Sequence, residues 1–287
     1  MTAVLFGLLG GAFFGALSIA IQAGLRRGAD PETGALTTAT VGFAVGSVAA
    51  LVEWGRLDPH ELWPFLVAGF LVPGGSQILL VKAIRDAGPA RASILVGTAP
   101  LMSVLIALVL LDEPWKPALL AGTVLVVGGG AVLTRERVRP EHFRALGAAL
   151  ALTCAGLFAC RDNLVRWAAR EHHPPPLLAA ATSLLAASLA VAVYLLVFRR
   201  RGLAPKLRRA APAFTPAGIA LGLAYCTLLE AFDRGRVSVV APLNATQSLW
   251  AVLLAGLLLR RTELIGRRVV AAGLLVVAGS ALIGAVR

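Results

Sequence analysis

Few polar residues interrupt this oily chain, and their types and spacing set the chemistry open to it. Asn244, Gln247 and Ser248 fall near the middle of an apolar run at i, i+3 and i+4, which on one continuous helix places them on a single face. Hydrocarbon cannot satisfy an amide, so that face must meet other helices or an aqueous cavity, either as packing glue or as contacts to a bound solute. Trp250 and Tyr225 could add stacking walls to the same cavity, although aromatics in such helices also serve as plain packing. Gln77 and Ser76 are the deep polar residues of another run.

The ionisable residues are mostly shallow, where a charge can reach the interface cheaply; at mid-depth it costs about 3 kcal/mol or more. Glu230 and Asp233 close one apolar run, and Lys82 and Arg85 close the run that corresponds to it, with the signs exchanged. Such residues act as structural ion pairs and interfacial anchors, or as gates and proton-coupling carboxylates. Arg161 and Asp162 follow an apolar stretch, Phe143 to Ala159, that is short for a full crossing, so the pair is expected at the membrane edge. It reads as a boundary salt bridge first, and as a cavity pair for a zwitterion or proton second.

Other chemistry is not signalled. Cys154, Cys160 and Cys226 lie inside apolar runs, where thiols pack like hydrophobes, and His60, His142, His172 and His173 sit at helix ends without zinc spacing. There is no phosphate-binding loop and no nucleophile-base set, so neither an enzyme, a cofactor, a metal nor direct ATP drive is expected.

These residues must be positioned by membrane helices. The chain has 287 residues, 58% apolar and 15% charged, with a mean hydropathy of +0.81. Apolar runs fall at 3–24, 34–53, 63–84, 89–111, 116–134, 143–165, 176–198, 214–233, 237–259 and 265–286, ten in all. The first opens at Val4-Leu5-Phe6 without a basic leader region and is expected to remain as a transmembrane helix. A formal net charge of +12 comes from short basic clusters between runs, the densest at Arg199, Arg200, Arg201, Lys206, Arg208 and Arg209. No aromatics are interleaved, which points to anionic lipid headgroups and away from nucleic acid.

The two halves repeat. Leu111-Asp112-Glu113 stands 150 residues before Arg261-Thr262-Glu263, and Val126-Val127-Gly128-Gly129-Gly130-Ala131 matches Val276-Val277-Ala278-Gly279-Ser280-Ala281 at the same offset. Ala83–Gly88 faces Ala231–Arg236 at an offset of 148, which also aligns Gln77 with Tyr225. The expected organisation is an all-α integral membrane protein with two five-helix repeats, 1–138 and 139–287, parted near 135–142. Five helices is an odd number, so the second copy must enter the membrane inverted, the architecture that places a solute site at mid-depth between repeats. Gly7, Gly11 and Gly15 share one face of the first helix and are expected to admit a close neighbour, as is Gly128-Gly129-Gly130.

With these features the sequence resembles the EamA-like family of the drug/metabolite transporter superfamily over nearly its whole length. The resemblance rests on the ten-run, two-copy layout and, in each copy, a short turn such as Ala87-Gly88-Pro89-Ala90-Arg91-Ala92, an apolar helix, an acidic turn ending in Glu113 or Glu263, and a Gly-rich last helix. Pro100 stands where the family often has a helix proline; the second copy has Trp250 there, and Pro242 is the candidate for the equivalent distortion. The resemblance implies export of a small metabolite across a cell membrane of the bacterial inner type, driven by an ion or solute gradient, with protons as a candidate coupling ion.

The expected mechanism is alternating access, with the Asn244/Gln247/Ser248 face contacting the solute, Trp250, Tyr225 and Gln77 around it, and Glu230 or Asp162 coupling, beside Arg161 and Lys82. The protein is expected to act as a monomer or homodimer. A lipid-linked substrate flippase, a membrane enzyme and a scaffold are the competing readings. Orientation is contested: the odd-numbered connections carry 19 Lys and Arg against 8 elsewhere, which puts both termini outside, whereas the family resemblance implies both inside.

Overall fold

The computed structural model describes residues 2–56, 58–99, 101–102, 117–134, 144–172, 174–199, 202–234, 240, 243–258 and 266–286. Every regular element among them is helical, as expected of a chain whose peptide groups must be paired without water. The first half contains α1 (Thr2–Arg26), α2 (Pro31–Ala50), α3 (Pro59–Gly69), α4 (Ser76–Ala87), α5 (Pro89–Val96) and α6 (Pro117–Thr134). The second contains α7 (Ala145–Glu171), α8 (Pro176–Phe198), α9 (Leu203–Arg234), α10 (Gln247–Leu258) and α11 (Arg267–Val286).

Among the described residues, six segments are long and apolar enough to cross a membrane: Thr2–Arg26, Pro31–Arg56, Pro59–Ala87, Ala145–Val165, Pro176–Phe198 and Leu203–Arg234. Leu243–Leu258 is a shorter apolar helix. The 89–111 and 237–259 runs fall only partly within the described residues, and the break at 135–142, the acidic turns ending in Glu113 and Glu263, Pro100 and Pro242 lie outside them.

Three boundaries differ from the hydropathy reading. Helix α9, which holds the eighth apolar run, begins at Leu203, well before residue 214, because its first turns are amphipathic: Lys206, Arg208 and Arg209 are exposed while Ala210, Ala213 and Phe214 are buried. The seventh element, α7, runs on to Glu171, so Arg161 and Asp162 stand inside the helix and not at its end. The third run is broken between α3 and α4 by a wide turn, Phe70–Gly75, in which Val72 is extended (φ −143°, ψ 118°) next to Pro73, which has no N–H to continue the ladder.

Local chemistry sets the helix starts. Asp30 caps α2 by accepting from Thr33 N at 3.0 Å, with Pro31 at the first helical position. Helix α8 begins Pro175-Pro176 without a side-chain cap of its own, and Glu53 supplies one from the end of the second span: its Oε2 accepts from Leu177 N (2.9 Å) and Leu178 N (3.2 Å).

The packing is paired across the repeats. α1 lies on α9 and α7 on α4; α2 lies on α9 and α8 on α3; α1 meets α10 and α7 meets α5. Each pair becomes the other when the halves are exchanged. The self-paired elements run antiparallel: on α2 and α8, Thr40 Oγ1 meets Ser188 Oγ at 2.9 Å, Gly46 faces Ala181 and Leu184, and Glu53 reaches Leu177. On α6 and α11, Gly129 faces Ala272 and Val276 while Gly279 faces Gly122 and Val126. Gly7, Gly11 and Gly15 admit the close neighbour expected of them, at Leu243, Thr246 and Trp250; a Cβ on Gly11 would stand 2.6 Å from Thr246 Oγ1.

Candidate functional site

A narrow cavity lies where helices of both halves converge. It is lined by Phe14, Leu17 and Ser18 of α1, Leu80 of α4, Ser93 and Val96 of α5, Phe158 of α7 and Gln247 of α10. Its free volume, ≈ 10 Å³, is room for about one water. The wall is apolar except for Gln247, Ser18 and Ser93. Ser18 Oγ and Ser93 Oγ share a hydrogen bond of 2.8 Å, which ties α1 to α5 beside the cavity.

The expected polar face is split. Thr246 is in a turn, its hydroxyl donating to Leu243 O, and the regular helix starts at Gln247. Gln247 points into the cavity. Ser248, fully buried, donates to Ser93 O at 3.0 Å and so acts between helices. Asn244 stands beside Gly10 of α1, and its Oδ1 is buried without a hydrogen-bond partner among the described residues. Trp250 is 39% exposed and lies outside the cavity wall, its Cβ seated on Gly15. Gln77 is buried in the first turn of α4 and is not part of the lining, with Nε2 unpartnered among the described residues.

Behind the wall stands an aromatic layer. Tyr225 is buried and packs edge-on to Phe14, ring centroids 6.0 Å apart. Arg161 Nη1 donates to Tyr225 Oη at 3.3 Å, and its guanidinium carbon lies 5.4 Å from the Phe158 ring centroid and 5.6 Å from that of Tyr225. Arg161 Nε is 2.8 Å from Asp162 Oδ1. The pair stands four and three residues before the end of the apolar span Ala145–Val165, inside the longer helix α7, and Arg161 is buried against neighbouring helices.

At one end of the molecule Lys82 Nζ pairs with Glu32 Oε1 at 2.8 Å, and Arg199 Nε with Glu32 Oε2 at 3.0 Å. Beside Glu32 the Arg199 guanidinium holds its proton more tightly than an isolated arginine does. Arg85 pairs with its neighbour Asp86, whose backbone carbonyl accepts from Arg144 N. At the other end Glu230 pairs with Arg234, which lies over Phe6, and Glu61 approaches His172 within a cluster of Trp63, Trp167 and His172. Sequence reading missed Glu32, because Asp30-Pro31-Glu32 reads as an ordinary helix start. It also passed over Ser18 and Ser93, which hydropathy does not distinguish from other small residues.

An all-helical chain of two related halves, with long apolar helices packed in exchangeable pairs, is a multi-pass integral membrane protein. The profile of the EamA-like transporter family matches residues 1–135 and again 145–285. The chain belongs to the EamA-like transporter family, a family of drug/metabolite-type membrane transporters. A solved crystal structure, described only as that of a protein, has the same fold with a TM-score of 0.65 and 24% sequence identity, over 98% of this chain and 96% of that one. No curated protein matches the chain.

Proposed function

We propose that this protein is a secondary transporter that exports a small organic solute by alternating access, with ten crossings arranged as two inverted five-helix repeats in a membrane of the bacterial inner type. The observation that carries the reading is the narrow cavity shared by α1, α4, α5, α7 and α10, elements of both halves, with Gln247 and two serine hydroxyls in an apolar wall. Equivalent helices packed antiparallel supply the symmetry that alternating access exploits, since exchanging the conformations of the halves moves the opening from one end to the other. Gln247 contacts the solute, and Glu230 or Asp162 carries the coupling proton.

The test is uptake and efflux of labelled amino acids and metabolites in proteoliposomes, with and without a proton gradient. Flux is expected for the wild type, with gradient dependence lost in either Glu230→Gln or Asp162→Asn. Gln247→Leu should cut flux by at least tenfold while the protein still elutes as a single folded species. Folded wild-type protein that moves nothing would sink the proposal, and wild-type flux in Gln247→Leu would remove Gln247 from the path.

A further inference from the structure

The first turns of α9 carry three exposed cations close together, Lys206, Arg208 and Arg209. None of their side chains forms a hydrogen bond or ion pair among the described residues, whereas Arg199, at the end of α8, is held by Glu32. Packing does not call for them, since α9 turns Ala210, Ala213 and Phe214 inward and leaves the cations outside. Nor does the turn itself. The offset of 148 residues that aligns Ala83–Gly88 with Ala231–Arg236 also brings Thr40 onto Ser188, the two residues that touch where α2 meets α8. It sets Asp58, His60 and Glu61 against Lys206, Arg208 and Arg209. The equivalent turn thus forms with two carboxylates, one of which, Asp58, caps α3 by accepting from His60 N at 2.9 Å. The fold accepts either sign, so the cations answer to something outside the chain.

What lies outside is indicated by the residues that follow. After Arg209 the exposed positions of α9 are Pro212, Pro216 and Ile219, which continue its face at i+3, i+7 and i+10. An apolar stripe left uncovered on a membrane helix meets acyl chains. Helix α8 shows the same beside it: Leu189, Val193 and Val197 are each more than half exposed at a spacing of four. With 32 residues, α9 is about 48 Å long against a hydrocarbon core of about 30 Å, so its first turns rise out of the core. Arg209 lies about 15 Å of helix from Ile219, half the core thickness. It stands at headgroup height above a lipid-facing stripe.

We propose that the start of α9 is a binding site for an anionic phospholipid, with the headgroup phosphate held by Arg209 between Lys206 and Arg208 and an acyl chain lying along Pro212, Pro216 and Ile219. Arginine presents a planar fork that matches phosphate oxygens, and its flanking cations add charge without steric demand. Zwitterionic headgroups bring their own ammonium, so a turn of cations alone prefers a lipid of net negative charge. The site holds whether or not the chain transports a solute.

The test offers the full chain, purified in detergent, equal amounts of phosphatidylglycerol and phosphatidylcholine with identical acyl chains, and counts the retained lipid by native mass spectrometry. Wild type is expected to keep phosphatidylglycerol at least about tenfold over phosphatidylcholine and to gain thermal stability from it. Arg209→Gln, and the triple change Lys206→Gln/Arg208→Gln/Arg209→Gln, should remove most of that preference. Arg27→Gln, at an exposed position of the same end, should keep it. Because the altered side chains are exposed, each variant without lipid should melt as wild type does; if the triple variant does not fold, Arg209→Gln alone decides. Equal retention of the two lipids by wild type, or a loss in Arg27→Gln as large as in Arg209→Gln, overturns the site. Glycerol 3-phosphate that protects the protein as well as phosphatidylglycerol does would mark a free-phosphate site and overturn the lipid assignment.

Discussion

Glu32 joins three segments that lie far apart in the chain, since its two oxygens hold Lys82 and Arg199 at 2.8 and 3.0 Å. Its side chain is 11% exposed and that of Lys82 27%, so this contact is screened far less than a surface ion pair, whereas Arg199 at 58% is mostly solvated. Removing the shared acceptor leaves Lys82 partly buried without its anion, a loss on the scale of a charge-assisted hydrogen bond, about 2 kcal/mol. Glu32→Gln is expected to lower the thermal midpoint in detergent measurably, and Arg199→Gln to leave it nearly unchanged. Equal midpoints for Glu32→Gln and wild type would show that the triad contributes nothing to stability. The contrast with Gln247 explains what is legible at this scale. A polar residue at mid-depth stands out from its apolar neighbours, so Gln247 and Tyr225 could be singled out from the sequence. A first-turn glutamate after Asp-Pro looks like every other helix start, and its distant cations become visible only when the helices are packed.

At the scale of elements, close approach between helices is decided by single hydrogens. A Cβ on Gly69 would overlap the backbone of Ser183 on α8, whose hydroxyl in turn donates to Phe65 O at 3.1 Å, so α3 and α8 touch main chain to main chain. A Cβ on Gly128, in α6, would meet nothing within 4 Å. Gly69→Ala must therefore separate two helices and is expected to cost about 1–3 kcal/mol, as overpacking does. Gly128→Ala should be neutral or mildly stabilising, since alanine is the better helix former by about 1 kcal/mol. Thermal unfolding of the two variants side by side checks this, and a stable Gly69→Ala would mean that the α3–α8 contact is looser than described. The glycine triplet at 128–130 drew attention in the sequence, and within it Gly129 meets α11 while Gly128 does not. Periodicity located the helices but not their interruptions. The turn at Thr246, which splits Asn244 from Gln247 and Ser248, leaves no trace in hydropathy, and the amphipathic start of α9 was too polar for an apolar window to include.

For the whole molecule, internal repetition carried most of the information, because two copies of the same helix order imply one packing arrangement used twice. Burial was harder to read: the short apolar stretch before Arg161 suggested a helix end, whereas α7 continues to Glu171 and Arg161 is buried among neighbouring helices. The folded chain also has two chemically different ends. The Glu32–Lys82–Arg199 triad, Arg85, Arg144 and the exposed Lys206, Arg208 and Arg209 gather at one of them. The opposite end holds the start of α1 beside Arg234, together with Glu53, Asp58, Glu61 and Glu230. Basic residues flanking membrane helices are retained on the cytoplasmic side, and acidic ones contribute little to orientation. The basic end is thus expected in the cytoplasm with both termini outside, the reverse of what the family resemblance alone implies. A background lacking Cys154, Cys160 and Cys226, with one exposed position changed at each end, decides between them. Gly55→Cys should react with a membrane-impermeant maleimide on intact cells, and Ala204→Cys only after permeabilisation. The opposite labelling pattern would place the basic end outside and require that packing or partner lipids override the charge bias.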